Sequence, residues 1–200
     1  MRERETGTGV SARLRAETRS VHRRLEDELD LVGPGLTVGR YRSVLELFHG
    51  YYAVLEPRLD AWHGDDPLLD WPRRRKVDRL RADLAVLGVD ARSLPACHDV
   101  PDVPGTAEAL GALYVVEGAT LGGQVIVRSL RAGGQVPVAA TGFFASYGSE
   151  VGRLWRDWRR TTEAWVGGDG ARADAVVTHA LLTFATLRDW LAPARREVAA

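Results

Sequence analysis

A chain of 200 residues and 21.9 kDa has room for one domain with a substantial core, and 45 % hydrophobic with 27 % charged residues excludes extensive disorder. Lys+Arg and Asp+Glu both number 27, so no global charge excess exists to hold nucleic acid or an anionic membrane, and any electrostatic recognition must come from local clusters. Cys97 is the only cysteine, which excludes an intrachain disulfide and a cysteine-based metal cluster and suits a reducing cytoplasm.

Apolar residues recur with helical spacing in six stretches separated by short Gly/Pro/Asp breaks. Residues 1–10 read as a flexible tail and 11–195 as a single helical domain. The first helix is expected over Ser11 to Leu31, with Leu14, Val21, Leu25 and Leu29 on one stripe and Gly33-Pro34-Gly35 as its stop. Thr37 caps a second helix reaching Trp62, whose inward face carries Tyr41, Val44, Leu45, Phe48, Tyr52 and Leu55, with Pro57 as a place to kink or end early. An Arg-rich third helix runs from Pro72 to Leu87, and Gly88 to Pro104 reads as a loop. The fourth helix spans Thr106 to Arg131, the fifth Phe143 to Trp165, and the sixth Arg172 to Trp190. Gln135 to Ala139 is too short and isolated for a sheet, so the class is all-α. By the sequence reading no apolar run approaches the roughly 18 residues of a membrane span, and the polar start lacks a secretion signal, so a cytoplasmic protein with no membrane partner is expected.

On the first helix Arg15, His22, Glu26 and Arg19 fall at roughly 100°, 80°, 120° and 140° from Leu14, a polar ridge beside the apolar stripe. A hydrophobic wall, an imidazole and edge cations suit a planar, mostly apolar ligand that carries a metal and carboxylates. The same spacing also describes an ordinary surface i,i+4 pair. On the fourth helix Gly111, Gly118 and Gly122 lie within about 40° of one another, although each interior glycine costs about 1 kcal/mol relative to alanine. Such a bare face serves either close approach to a flat ligand or tight packing against another helix. A phosphate loop is disfavoured, since Gly118-Ala-Thr-Leu-Gly122-Gly123 lacks GxGxxG, a P-loop lysine and a preceding strand.

Taken together, Leu14-Arg-Ala-Glu-Thr-Arg-Ser-Val-His22-Arg-Arg-Leu-Glu26 and Leu113-Tyr-Val-Val-Glu-Gly118-Ala-Thr-Leu-Gly122-Gly-Gln124 resemble the proximal and distal helices of biliverdin-producing haem oxygenases. The wording is most similar to the bacterial branch associated with bacteriophytochromes, and weaker likeness continues through Phe143–Gly148, Trp155, Trp158 and Thr183-Phe184. The resemblance implies a multi-helix bundle with haem between the first helix and a glycine-kinked distal helix. It implies His22 as axial iron ligand, Glu26 as its orienter, Arg15, Arg19 and Arg156 as propionate partners, Gly118 and Gly122 as the distal wall, and Tyr52 in the distal hydrogen-bond network. Many family members carry an aspartate after the first distal glycine, where this chain has Ala119, leaving Thr120, Tyr52 or Arg128 to arrange distal water.

The implied reaction consumes haem and O₂ with electrons from an external donor, such as ferredoxin or flavodoxin with its reductase, and gives biliverdin, ferrous iron and carbon monoxide. A bacteriophytochrome would be a user of the pigment. A non-catalytic haem carrier or sensor on the same fold is the alternative that Ala119 raises. Di-iron oxidases need Glu-x-x-His pairs on more than one helix, and only Glu46-Leu-Phe-His49 has that spacing, on a face expected to meet solvent. His49, His63, His98 and His179 read as surface, loop or hydrogen-bonded core residues, the six tryptophans as core, and Arg73-Arg-Arg-Lys76 as a solvated helix start or a dock for an acidic donor.

Overall fold

The periodic stretches fold as seven α-helices among the residues that the computed structural model describes, 9–33, 35–62 and 69–195. They are α1 (Val10–Leu29), α2 (Val38–Trp62), α3 (Trp71–Arg74), α4 (Val77–Val86), α5 (Thr106–Gly133), α6 (Val151–Val166) and α7 (Gly170–Trp190), and no strand occurs among the described residues. Pro34, His63 and most of the expected tail lie outside that set. The central helix is α5: it packs most extensively on α7 and also meets α2 and α6, while α1 lies across α6 and α7, and α2 packs on α4. Fully buried Leu14, Tyr41, Leu45, Leu113, Trp158 and Val176 show that α1, α2, α5, α6 and α7 share one core.

Two expected helices are corrected. The third is broken at Arg75, whose extended backbone (φ −61°, ψ 139°) separates α3 from α4. Extended geometry sends alternate side chains to the same side, and Arg74 and Lys76 both turn into the protein while Arg75 stays outside. The fifth helix begins at Val151 instead of Phe143. The amides of Gly142 and Phe143 donate to the Asp83 carboxylate at 2.9 and 2.8 Å, and Tyr147 and Gly148 adopt left-handed φ of 63° and 52°, which a continuing helix cannot contain. The helix α2 runs through Pro57 to Trp62, and Gln135 to Ala139 leads into a 3₁₀ turn at Val138–Ala140.

A third expectation also changes: α5 is long and apolar enough to cross a membrane by length and composition. More than half of its most apolar stretch is buried within the bundle, as befits a core helix. A central helix hydrophobic nearly all round is what a bundle of this size requires.

The amino terminus of α1 has no side-chain cap of its own. Its first free amides are satisfied from α6, where the Glu163 carboxylate accepts from Val10 at 3.2 Å and Ser11 at 2.9 Å. Gly9 leaves room for it: a Cβ there would lie 2.6 Å from both carboxylate oxygens and would force the Glu163 side chain to shift. By contrast α7 caps itself, Asp169 accepting from the amides of Ala171 and Arg172. Truncating Glu163→Ala is expected to remove about 1 kcal/mol of unfolding free energy, read by urea denaturation, and to increase hydrogen exchange in the first turn of α1. Unchanged exchange there would show that the cap contributes nothing.

Candidate functional site

The i,i+4 spacing on α1 brings His22 Nδ1 to 3.2 Å from Glu26 Oε2. Both side chains are partly open to solvent, 44 % and 60 % exposed, so the pair forms at the surface and not inside the core. The imidazole stands edge-on to Phe184 of α7, with centroids 5.8 Å apart and planes at 89°. With Nδ1 engaged by the carboxylate, Nε2 has no protein partner among the described residues. Arg15 and Arg19 are exposed on α1 and make no ion pair among the described residues, in contrast to Arg13, which is held by Glu17 and Asp174. Arg156 of α6 is likewise exposed and without an ion pair, its Nη1 lying back along its own helix, 3.5 Å from where a Cβ of Gly152 would be.

The glycines of α5 divide into two kinds. A Cβ at Gly111 would lie 2.6 Å from the Val176 carbonyl oxygen and 2.9 Å from the Ala180 nitrogen, and one at Gly123 would collide with the Phe144 carbonyl. Gly111 therefore serves close packing against α7 and does not share a ligand face with Gly118 and Gly122, contrary to the projection from sequence. Gly118 meets nothing within 4 Å, and a Cβ on Gly122 would be 3.9 Å from Glu26 Oε1. The side-chain-free part of α5 thus stands across from the carboxylate that orients His22.

The other residues that the resemblance implicates are held as follows. Ala119 is half-buried, and Thr120 turns its hydroxyl to the Glu117 carbonyl at 2.6 Å. Arg128 is exposed and donates back to the Gln124 carbonyl. Tyr52 is buried on α2, its ring 5.4 Å from that of Phe143. Burial first, then the Glu117 and Glu56 carboxylates, push its phenol well above the ordinary value, so it stays protonated at any physiological pH.

Sequence reasoning missed what lies beneath Gly118. Glu117, Arg74 and Lys76 are each 1 % exposed. Arg74 Nη1 is 2.5 Å from Glu117 Oε2, Lys76 Nζ is 2.9 Å from Oε1, and Tyr147 donates its hydroxyl to Oε1 at 2.7 Å. Burial would raise the Glu117 carboxyl, but Lys76 and then Arg74 outweigh it and hold it below its ordinary value. The basic run is therefore not a solvated helix start: Arg73 and Arg75 face outward to Glu150 and Asp60, while Arg74 and Lys76 are interior. The available signal was Glu117 itself, a charge in the apolar helix Leu113–Gly118 that demands a buried partner.

Among the histidines, His98 is exposed as expected, whereas His49 is buried with neither ring nitrogen hydrogen-bonded. It thus faces the core, while Glu46 pairs with Arg42 outside, and no group of three or more His, Cys, Asp or Glu able to hold a metal occurs among the described residues. His179 is also buried, with Nε2 unpartnered.

Two measurements follow. Gly111→Ala should cost roughly 1–3 kcal/mol from overpacking against α7, whereas Gly118→Ala should leave the ligand-free protein as stable or up to about 1 kcal/mol more so through helix propensity. Equal losses in thermal melts of the two would contradict the division between them. Burial, then the charge of Arg81, lowers the folded-state value of His49 below 6.5, and burial also lowers that of His179. The unfolded chain therefore binds more protons below about pH 6.5, so these groups reduce stability as pH falls from about 7 to 5.5. His49→Leu should flatten that decline, with the His179 contribution left, as read by urea denaturation across the range.

A haem oxygenase of Xanthomonas campestris pv. campestris (strain 8004) is 36 % identical over 140 residues, covering 68 % of this chain and 79 % of that protein. No family model matches the chain. The fold is similar to that of the haem oxygenase from Leptospira interrogans, with TM-score 0.69 at 14 % identity over 93 % of this chain and 100 % of the other. It is also similar to haem oxygenase-1 from Synechocystis sp. PCC6803, solved in complex with haem, with TM-score 0.67 at 16 % identity over 92 % and 90 % of the two chains. The sequence identity, spread over most of both proteins and matched by the all-helical fold, makes this chain a member of the haem oxygenase family.

Proposed function

We propose that the protein binds haem between α1 and α5 and, with O₂ and an external reductant, cleaves it to biliverdin, ferrous iron and carbon monoxide. The observation that carries this reading is the His22–Glu26 pair facing the bare backbone at Gly122. The residues present fit the substrate: one imidazole nitrogen is free, a cleft side has no side chains at Gly118 and Gly122, and three arginines lack carboxylate partners among the described residues. Bound there, haem supplies both the iron that activates O₂ and the carbon that is oxidised.

In this reading Glu26 accepts a hydrogen bond from Nδ1–H of His22, which fixes the tautomer with the Nε2 lone pair facing the iron and raises its basicity. Arg15, Arg19 and Arg156 hold the propionates at the cleft edge. The backbone at Gly118 and Gly122 would close the opposite side and exclude water, and would constrain where O₂ can sit. Tyr52 contributes a protonated hydroxyl on the side of α2. With Arg74 and Lys76 buried, an acidic ferredoxin or flavodoxin has Arg23 and Arg24 of α1, both exposed, to dock against, and a bacteriophytochrome would take the pigment.

Ala119 together with the inward-turned Thr120 hydroxyl favours a second reading, a haem carrier with no oxygen chemistry. Absorption of the haem-loaded protein under O₂ with reductant separates the two: loss of the haem bands with growth of a biliverdin band is expected, and a stable spectrum without product would leave the carrier. His22→Ala should abolish the histidine-ligated spectrum. Replacing Arg15, Arg19 or Arg156 by alanine should weaken haem binding about two- to fivefold each, as for exposed ion pairs, and shift the ratio of biliverdin isomers.

A further inference from the structure

Three buried charges beneath Gly118 are more than packing requires. A hydrophobic trio of similar volume would be as stable, because desolvating charges offsets most of their attraction. Here the charges are fully satisfied and tie several segments to one point on α5. Besides Glu117, the Arg74 guanidinium donates to the carbonyl of Leu69 and, at 3.1 Å, to that of Leu154 on α6. The Lys76 ammonium donates to the Arg74 carbonyl at 3.2 Å and to the Tyr147 hydroxyl at 2.9 Å as well as to Glu117. Glu56 of α2 holds the same break in place by accepting from the amides of Lys76 and Val77.

The point so fixed is the residue before Gly118, at the head of the glycine-containing stretch of α5. Gly118 has no Cβ to pack, a Cβ on Gly122 would find only Glu26 nearby, and interior glycines weaken a helix. We infer that Glu117, clamped by Arg74, Lys76 and Tyr147, is a positioning residue that sets the height of the Gly118–Gly122 backbone over the His22 cleft. This rests on the reading that the ligand lies between α1 and α5. Because Arg74 also holds Leu154, two residues before Arg156, the same clamp sets the distal backbone and the α6 cation relative to each other.

The test compares the native protein with a triple variant, Arg74→Met, Lys76→Met, Glu117→Leu, and with Tyr147→Phe, which removes the hydroxyl's bonds to Glu117, Lys76 and the Arg74 carbonyl and keeps both ion pairs. Hydrogen exchange is read on the ligand-free protein at residues 118–123, with residues 176–183 of α7 as the internal control. The triple variant is expected to melt near the native temperature yet exchange about tenfold or more faster at 118–123 alone, and Tyr147→Phe to do so several-fold. Loaded with haem, both should give a broadened mixture of biliverdin isomers. If exchange at 118–123 is unchanged in Tyr147→Phe and in any triple variant that folds, the positioning role is overturned. A native protein that fails to bind haem defeats the proposed function instead, and leaves the exchange comparison standing.

Discussion

A helix that crosses the middle of a bundle and also leaves its backbone bare on one side cannot be held there by its own side chains. The other parts of the structure answer that constraint on α5. Toward α7 the problem is solved by proximity: Gly111 lets the backbones meet where a methyl group would collide with Val176 and Ala180. Toward α6 the Phe144 carbonyl sits over Gly123. Between these contacts, at Gly118, no packing exists, and the helix is held from behind through Glu117. The break at Arg75 and the left-handed turn at Tyr147 are the backbone conformations that deliver Arg74, Lys76 and the Tyr147 hydroxyl to that carboxylate.

The opposing helix is organised in the reverse way. α1 is fixed at its amino end by a carboxylate borrowed from α6 and along its length by Leu14, Leu25 and Leu29, while its polar ridge is left free of competing partners. Arg15 and Arg19 on that ridge and Arg156 on α6 make no ion pair among the described residues, which leaves them free for the acidic groups of the proposed ligand. The proposed ligand, a large flat molecule with an apolar face and acidic edge groups, is in keeping with family membership and with this geometry. In that proposal the chemistry at its centre rests on one imidazole, that of His22, held by Glu26.

The local features were legible in the sequence because their physics is local. Helical periodicity, the Thr37 cap, and the His22–Glu26 pair all depend on residues within about one turn of each other, and all appear where spacing puts them. The paired wording of the α1 and α5 segments pointed to the family before any coordinates did. What spacing could not do was separate Gly111 from Gly118, since both lie on nearly the same side of an isolated helix, and only the arrival of α7 over one and not the other distinguishes them.

The basic run makes the same point more sharply. By itself Arg73-Arg74-Arg75-Lys76 has the composition of a solvated surface, and the energy of burying two of its members depends on a carboxylate some forty residues away along the chain. Sequence alone therefore determined the helices, the local pairs and the family. Tertiary structure decided which charges go inside, where the fifth and third helices yield to turns, and which glycines face open space, because each of those outcomes is set by a partner from a distant segment and not by the residue's own neighbours.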